Sequence, residues 1–157
     1  MGTPDLSELN DQVEIAKLLT RYTYGLDSRD WDLLGSCFTE DGVADFGELG
    51  GVHDGRDAIV AFCRSVLAGL DASQHLIGSI SIDCSGDEAG AVCYFQAQHV
   101  FKGAEGGDNY LVGGTYRDRI LRSAEGWRIA HRTLEASWFD GNPVVFELAS
   151  ARLARAS

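Results

Sequence analysis

Asp27, in the stretch "RYTYGLDSRDWDLLGSCF", sits where one apolar helical pattern stops and another begins, so its carboxylate either ends a helix in solvent or does chemistry. His75 opens a strand pattern straight after the polar turn "DASQ". An imidazole there is a surface residue, a satisfied core residue or a base, and it is the side chain that titrates nearest neutrality. Alternation along "GWRIAHRTLEASWF" puts Ala130, Arg132, Leu134, Ala136 and Trp138 on one face, with Ile129, His131, Thr133 and Glu135 on the other. A guanidinium with such neighbours must meet a carboxylate that holds strands together or a ligand anion, unless its face is the solvated one. Tyr22 lies on an apolar helix face one turn beyond Leu18 and Leu19, so its ring is buried and its hydroxyl needs a partner. His99 shares an inward face with Cys93, Phe95, Ala97 and Phe101, and Tyr110 and Tyr116 lie in phase on the next strand.

No phosphate-binding glycine loop, nucleophile elbow or zinc-protease helix motif is present. The histidines His53, His75, His99 and His131 fall on separate elements without local ligand spacing, so no metal is expected. Any chemistry must come from ordinary side chains, with no cofactor.

The elements that must position these residues are legible from periodicity. Leu9, Val13, Ile15, Leu18, Leu19, Tyr22 and Leu26 recur at helical spacing over residues 7–26, with Ser7 as the expected N-cap. A short second helix begins near Ser28 to Asp30, a strand pair is expected around "GVADFGELGGVHDG", and "RDAIVAFCRSVLAGL" reads as a third helix ending near Gly69. From His75 the period changes to two. Four runs rich in β-branched and aromatic residues are separated by "SGDE", "KGAEGGD" and "SAEG", the signature of an antiparallel meander. Helices followed by a long sheet indicate one α+β domain over 1–157, with three N-terminal helices on one face of a strongly curved sheet. Such a sheet encloses a cone, a natural small-molecule pocket.

Composition excludes other partners. The 157 residues carry 13 Lys+Arg against 24 Asp+Glu, and a net charge of -11 repels nucleic acid and anionic membranes. Cys37, Cys63, Cys84 and Cys93 lack paired spacing, and three lie in apolar stretches, as reduced buried thiols of a cytoplasmic protein do. The sequence shows neither an export signal nor an apolar run long enough to span a bilayer.

Taken together, "RYTYGLDSRDWDLLGSCFTEDG", "SQHLIGSISI" and "YLVGGTYRDRILRSAEGWRIAHRTLEASW", in that order, resemble the SnoaL-like branch of the nuclear-transport-factor-2-like superfamily over nearly the whole chain. The pattern is most similar to that of cofactor-free lyases typified by hexachlorocyclohexane dehydrochlorinase, bile-acid 7α-dehydratase and scytalone dehydratase. The resemblance implies a cone-shaped α+β barrel. It also implies that Asp27 pairs with His75 as a general base, assisted by Tyr22 and the active-site arginine Arg132; His99, Tyr110, Tyr116 and Trp138, inward by strand phase, are expected to contact substrate. The implied activity is elimination of water from a small hydrophobic ring compound such as a polyketide, sterol or terpenoid. Isomerisation or cyclisation in the same superfamily, or ligand binding without catalysis, are the alternatives. Relatives cover the outer sheet face by association, so a homo-oligomer, trimer or dimer, is expected.

Overall fold

The computed structural model describes residues 5–157. The order of elements is α1 (Leu6–Asp27), α2 (Trp31–Gly35), β1 (Phe38–Asp45), a 3₁₀ turn (Gly47–Leu49), β2 (Val52–Asp54), α3 (Arg56–Leu67), β3 (Ala72–Ser85), β4 (Glu88–Val100), β5 (Asn109–Ser123), β6 (Gly126–Gly141) and α4 (Val144–Ala156). The strands form one six-stranded sheet in the order β2-β1-β6-β5-β4-β3. Every neighbouring pair is antiparallel except β1 with β6. The α+β class, the strand pair after α2 and the four-strand meander are those the periodicity predicts.

Several boundaries differ, each for a local reason. The N-cap of α1 is Asp5, whose carboxylate accepts the Glu8 N–H at 2.8 Å, so Ser7 lies inside the first turn. Likewise Asp30 accepts the Leu33 N–H at 2.9 Å and starts α2 at Trp31. His75 does not open its strand: β3 begins at Ala72, because "ASQ" already pairs with β4. The apolar tail after the last strand forms α4, a helix absent from the sequence reading.

Alternation holds along β4, where Ala89, Ala91, Cys93, Phe95, Ala97 and His99 are buried and their neighbours are not. On β6 it is broken twice. The hairpin sets Ser123 opposite Gly126 and Ile120 opposite Ile129, but Arg119 pairs with His131, leaving Ala130 as an extra residue. Ile129 therefore points inward, contrary to the simple alternation, and Arg132 also points inward, opposite Asp118. A second shift leaves Ser137 unpaired between Ala136, opposite Gly114, and Trp138, opposite Gly113. Beyond it the phase inverts again.

The core lies between the sheet's inner face and the helices, built from residues such as Ile15, Leu18, Leu19, Phe38, Ile59 and Ile120, all under 2% exposed. Cys37, Cys63 and Cys93 are buried within it, and all four cysteines are free. Among the described residues no helix is long and apolar enough to cross a membrane.

α4 closes one end of the cone. Gly69 lies so near it that an added Cβ would stand 2.1 Å from the Ala149 carbonyl oxygen. Arg152 donates to the Gly69 carbonyl at 2.9 Å on the same contact. Because the obstacle is backbone, Gly69→Ala must push α4 away, and we expect it to cost about 1–3 kcal/mol in urea unfolding. Wild-type stability in that variant would show that α4 is not held by this contact.

Candidate active site

The inner face of the sheet and the helices enclose a cavity of about 190 Å³, lined mostly by apolar side chains. Leu26 of α1, Phe46 and Leu49 of the β1–β2 connection, Val66 of α3, Val112 of β5 and Phe146 of α4 show how many elements contribute. The polar side chains on the wall are Tyr22, Cys63, His75, His99 and Tyr116. Among them no carboxylate, lysine or arginine reaches the cavity.

Asp27 is the last residue of α1, and β3 passes its side chain as an edge strand. Asp27 Oδ1 accepts from His75 Nδ1 at 2.7 Å and from the Ser73 hydroxyl at 2.9 Å, while Oδ2 accepts the His75 backbone N–H at 2.7 Å. One residue thus offers ring and backbone to the two oxygens of one carboxylate, which fixes the imidazole's orientation. Burial raises the affinity of Asp27 for a proton, but the bonds from His75 and Ser73 outweigh it and hold the carboxyl below its ordinary value of 3.8. With Nδ1–H committed to an ionised carboxylate, the neutral ring of His75 has its lone pair on Nε2. The side chain is 6% exposed and lines the cavity.

His99 is a second imidazole in a different electrical setting. Its ring stands edge-on to His75, centroids 5.8 Å apart, and its Nδ1 donates to the Tyr110 carbonyl at 3.1 Å. Burial, reinforced by nearby His75, pushes its pKa down to about 4. His99 is therefore neutral at pH 7, and its Nε2 is a hydrogen-bond acceptor on the cavity wall.

Tyr22 and Tyr116 form the floor, ring centroids 5.7 Å apart, and burial raises both phenols above their ordinary 10.0, so both stay protonated donors. Arg132 lies directly behind them. Its guanidinium is 4.0 Å from the Tyr22 ring centre and 4.2 Å from that of Tyr116, with Nε and Nη2 bound to the two oxygens of Asp118 at 2.7 and 2.6 Å. Burial opposes its charge, but the Asp118 carboxylate in contact with it, helped by the two rings, outweighs that and keeps it protonated. Nη1 is buried with no hydrogen-bond partner.

Of the residues singled out in the sequence, Tyr22, His75, His99 and Tyr116 line the cavity, and Asp27 stands one bond behind His75. Arg132 is 1% exposed and sealed by the tyrosines, so it acts on the cavity only through them. Tyr110 is one layer out, stacked on Phe139 and edge-on to Phe146. Trp138 is displaced altogether: the Ser137 bulge turns it to the outer face, where it lies over Gly113 and is 41% exposed. The sequence reading missed Asp118, Ser73, Arg29 and Phe146. Asp118 was in phase with Tyr116, but only the Ala130 bulge sets it against Arg132. Among the described residues no cluster of three or more His, Cys, Asp or Glu is arranged to hold a metal.

The depressed pKa of His99 has a signed consequence. Between its ordinary value of 6.5 and about 4, the unfolded chain binds a proton there that the native chain does not. Stability from this group is then complete above pH 6.5 and falls as pH drops through that window, by about 3 kcal/mol in all. We expect His99→Phe to flatten the difference in urea-unfolding free energy between pH 6.5 and 4. An unchanged slope would place His99 in a protonated, partnered state instead.

The SnoaL-like domain model matches residues 7–133. A Mycobacterium tuberculosis protein described as uncharacterized is 31% identical over 127 residues, 81% of this chain and 86% of that protein. The terrestric acid biosynthesis cluster protein E of Penicillium crustosum is 32% identical over 145 residues, 88% of this chain and 90% of that protein. Among solved structures, a Kribbella flavida protein superposes with a TM-score of 0.80 at 26% identity, covering 90% of this chain and 97% of its own. Hexachlorocyclohexane dehydrochlorinase from Novosphingobium barchaimii shares the fold with a TM-score of 0.77 at 17% identity, covering 89% and 95%. With its cone of helices on a curved sheet and the motif order noted in the sequence, the chain belongs to the SnoaL-like domain family.

Proposed function

We propose that the protein is a cofactor-independent lyase that eliminates water from a small, largely apolar ring compound. One observation carries the reading: His75, oriented by Asp27 through a 2.7 Å bond at Nδ1, lines an apolar cavity with its other ring nitrogen left out of that bond. In that setting Nε2 removes a proton from a carbon bearing an acidic C–H. The C–H electron pair becomes the new C=C bond, the C–O bond at the β-carbon breaks, and the departing hydroxide, hydrogen-bonded by the neutral Tyr22, takes back the proton that His75 removed and leaves as water. Asp27 stabilises the transient imidazolium, and such a base contributes about 10² to 10⁴-fold. The tyrosine hydroxyls, kept neutral by burial, supply hydrogen bonds to the oxygen as its charge grows, with Arg132 and Asp118 fixing their rings from behind.

A cavity of about 190 Å³ is smaller than the roughly 300–1,000 Å³ of drug-sized pockets, which favours a substrate of one or two rings over a sterol. The similarity to a biosynthesis-cluster protein supports a small-molecule substrate. The same base would also support a double-bond shift or ring closure through an enolate. Product structure by NMR separates these outcomes.

Mass spectrometry of compounds that co-purify supplies the substrate for the test. His75→Ala and Asp27→Asn should each lower kcat by at least about 100-fold while the melting temperature stays near wild type, and dialysis against EDTA should leave turnover unchanged. Near-native kcat in either variant would remove the dyad from the mechanism.

We also propose that the chain self-associates through the outer sheet face, where Leu76 of β3, Tyr94 of β4 and Trp138 of β6 are 59%, 63% and 41% exposed. Sedimentation should show a dimer or trimer at micromolar concentration. A species of the 17.0 kDa chain alone would refute this.

A further inference from the structure

Asp27 does not stand alone behind His75: Arg29 donates through one Nη1 to the Ser73 hydroxyl at 2.7 Å and to the Leu26 carbonyl at 2.7 Å. Resting on the dyad reading above, we propose that Arg29 and Ser73 are positioning residues that set the orientation and proton affinity of His75 through Asp27.

The direction of the chain of bonds is fixed by chemistry. A guanidinium only donates, so Ser73 Oγ accepts from Arg29, and its single hydrogen is left for Asp27 Oδ1 at 2.9 Å. The order is Arg29 to Ser73 to Asp27 to His75. Every donor on this side of the carboxylate is thereby aimed, and the carboxylate cannot rotate without breaking three bonds at once.

The backbone gives an independent reason to assign Arg29 a task. Its φ is +59°, in the left-handed region that side chains seldom adopt. The position follows the end of α1, where glycine would make the same turn without strain. The Leu26 carbonyl already accepts the backbone N–H of residue 29 at 3.3 Å, a bond glycine would keep, so the side-chain bond to it is a second one. What only the side chain adds is the bond to Ser73 and a positive charge one hydroxyl removed from the carboxylate. Strained residues persist where the surroundings hold them and tend to gather at functional sites.

The charge acts in a known direction. A cation behind Asp27 offsets part of the field that the carboxylate exerts on the imidazole, so the base is less avid than an isolated Asp-His pair would make it. The other groups facing His75 are Asp27 from α1, His99 from β4, which is neutral, and Tyr22, which is protonated. Arg132 is cut off behind Tyr22 and matched by Asp118. Among the described residues Arg29 makes no ion pair of its own, and the charge it acts on is that of Asp27.

The first arm of the test needs no substrate. The His75 ring protons are followed by NMR against pH in the wild type, Arg29→Gly and Ser73→Ala. Arg29→Gly suits the backbone, so its melting temperature should be retained, and His75 should titrate higher by about half a pH unit or more. Ser73→Ala, which cuts the chain of bonds while leaving the cation, should shift the titration in the same direction by less. Unmoved titrations in both folded variants would overturn the proposal. If the titration moves but the acidic limb of kcat/KM against pH does not follow it, the relay stands and the assignment of His75 as the base fails.

Discussion

The pair formed by Asp118 and Arg132 is the constraint from which much of the architecture follows. A guanidinium 1% exposed can be held only if a carboxylate meets it squarely, and two bonds of 2.7 and 2.6 Å do so. Removing one partner from such a pair costs roughly 3–5 kcal/mol, because the other charge is left uncompensated. For the two side chains to face the same way, β6 must take up an extra residue at Ala130; the unbroken hairpin register would leave Arg132 on the outer face. Once inside, the cation holds against it the nearly perpendicular rings of Tyr22 of α1 and Tyr116 of β5. The first helix is therefore tied to the sheet at the point where the cavity floor is made.

Helices and strands were readable because each repeats its apolar positions over many residues, as Ile15, Leu18, Leu19, Tyr22 and Leu26 do along α1. The family, the cone and the cavity-facing positions of Tyr22, His75, His99 and Tyr116 were legible for the same reason, or from motif order. What could not be read were single-residue events. Alternation has no memory of a bulge, so the extra residues at Ala130 and Ser137 inverted the phase for Ile129 and Trp138. Nor does a pattern of types report a pairing across 44 residues, such as Arg29 with Ser73. The C-terminal helix escaped because its apolar residues were read only as a tail, although they carry Phe146 to the cavity.

The site makes two chemically identical rings unlike each other by surroundings alone. His75 sits against a carboxylate, whereas His99 sits against a carbonyl and the aromatic edge of Phe146. In the proposed reaction the first gains a proton and the second remains an acceptor. The phenols, displaced upward by burial, complete a wall that presents lone pairs on one side and hydroxyl hydrogens on the other with no net charge on its surface. A neutral molecule is not penalised on entering such a space, while an ion would have to shed its hydration for nothing.

The backbone bond from His75 to Asp27 also has a consequence for solubility. β3 is fourteen residues long and lies at the border of the sheet, with no strand on its far side. A long free border is a template onto which other chains can add, and proteins blunt it by covering or interrupting it. Here the end of α1 occupies that border, and Asp27 takes up the amide that an incoming strand would need. The carboxylate that holds the imidazole thus also withholds one amide of this border from pairing with another chain.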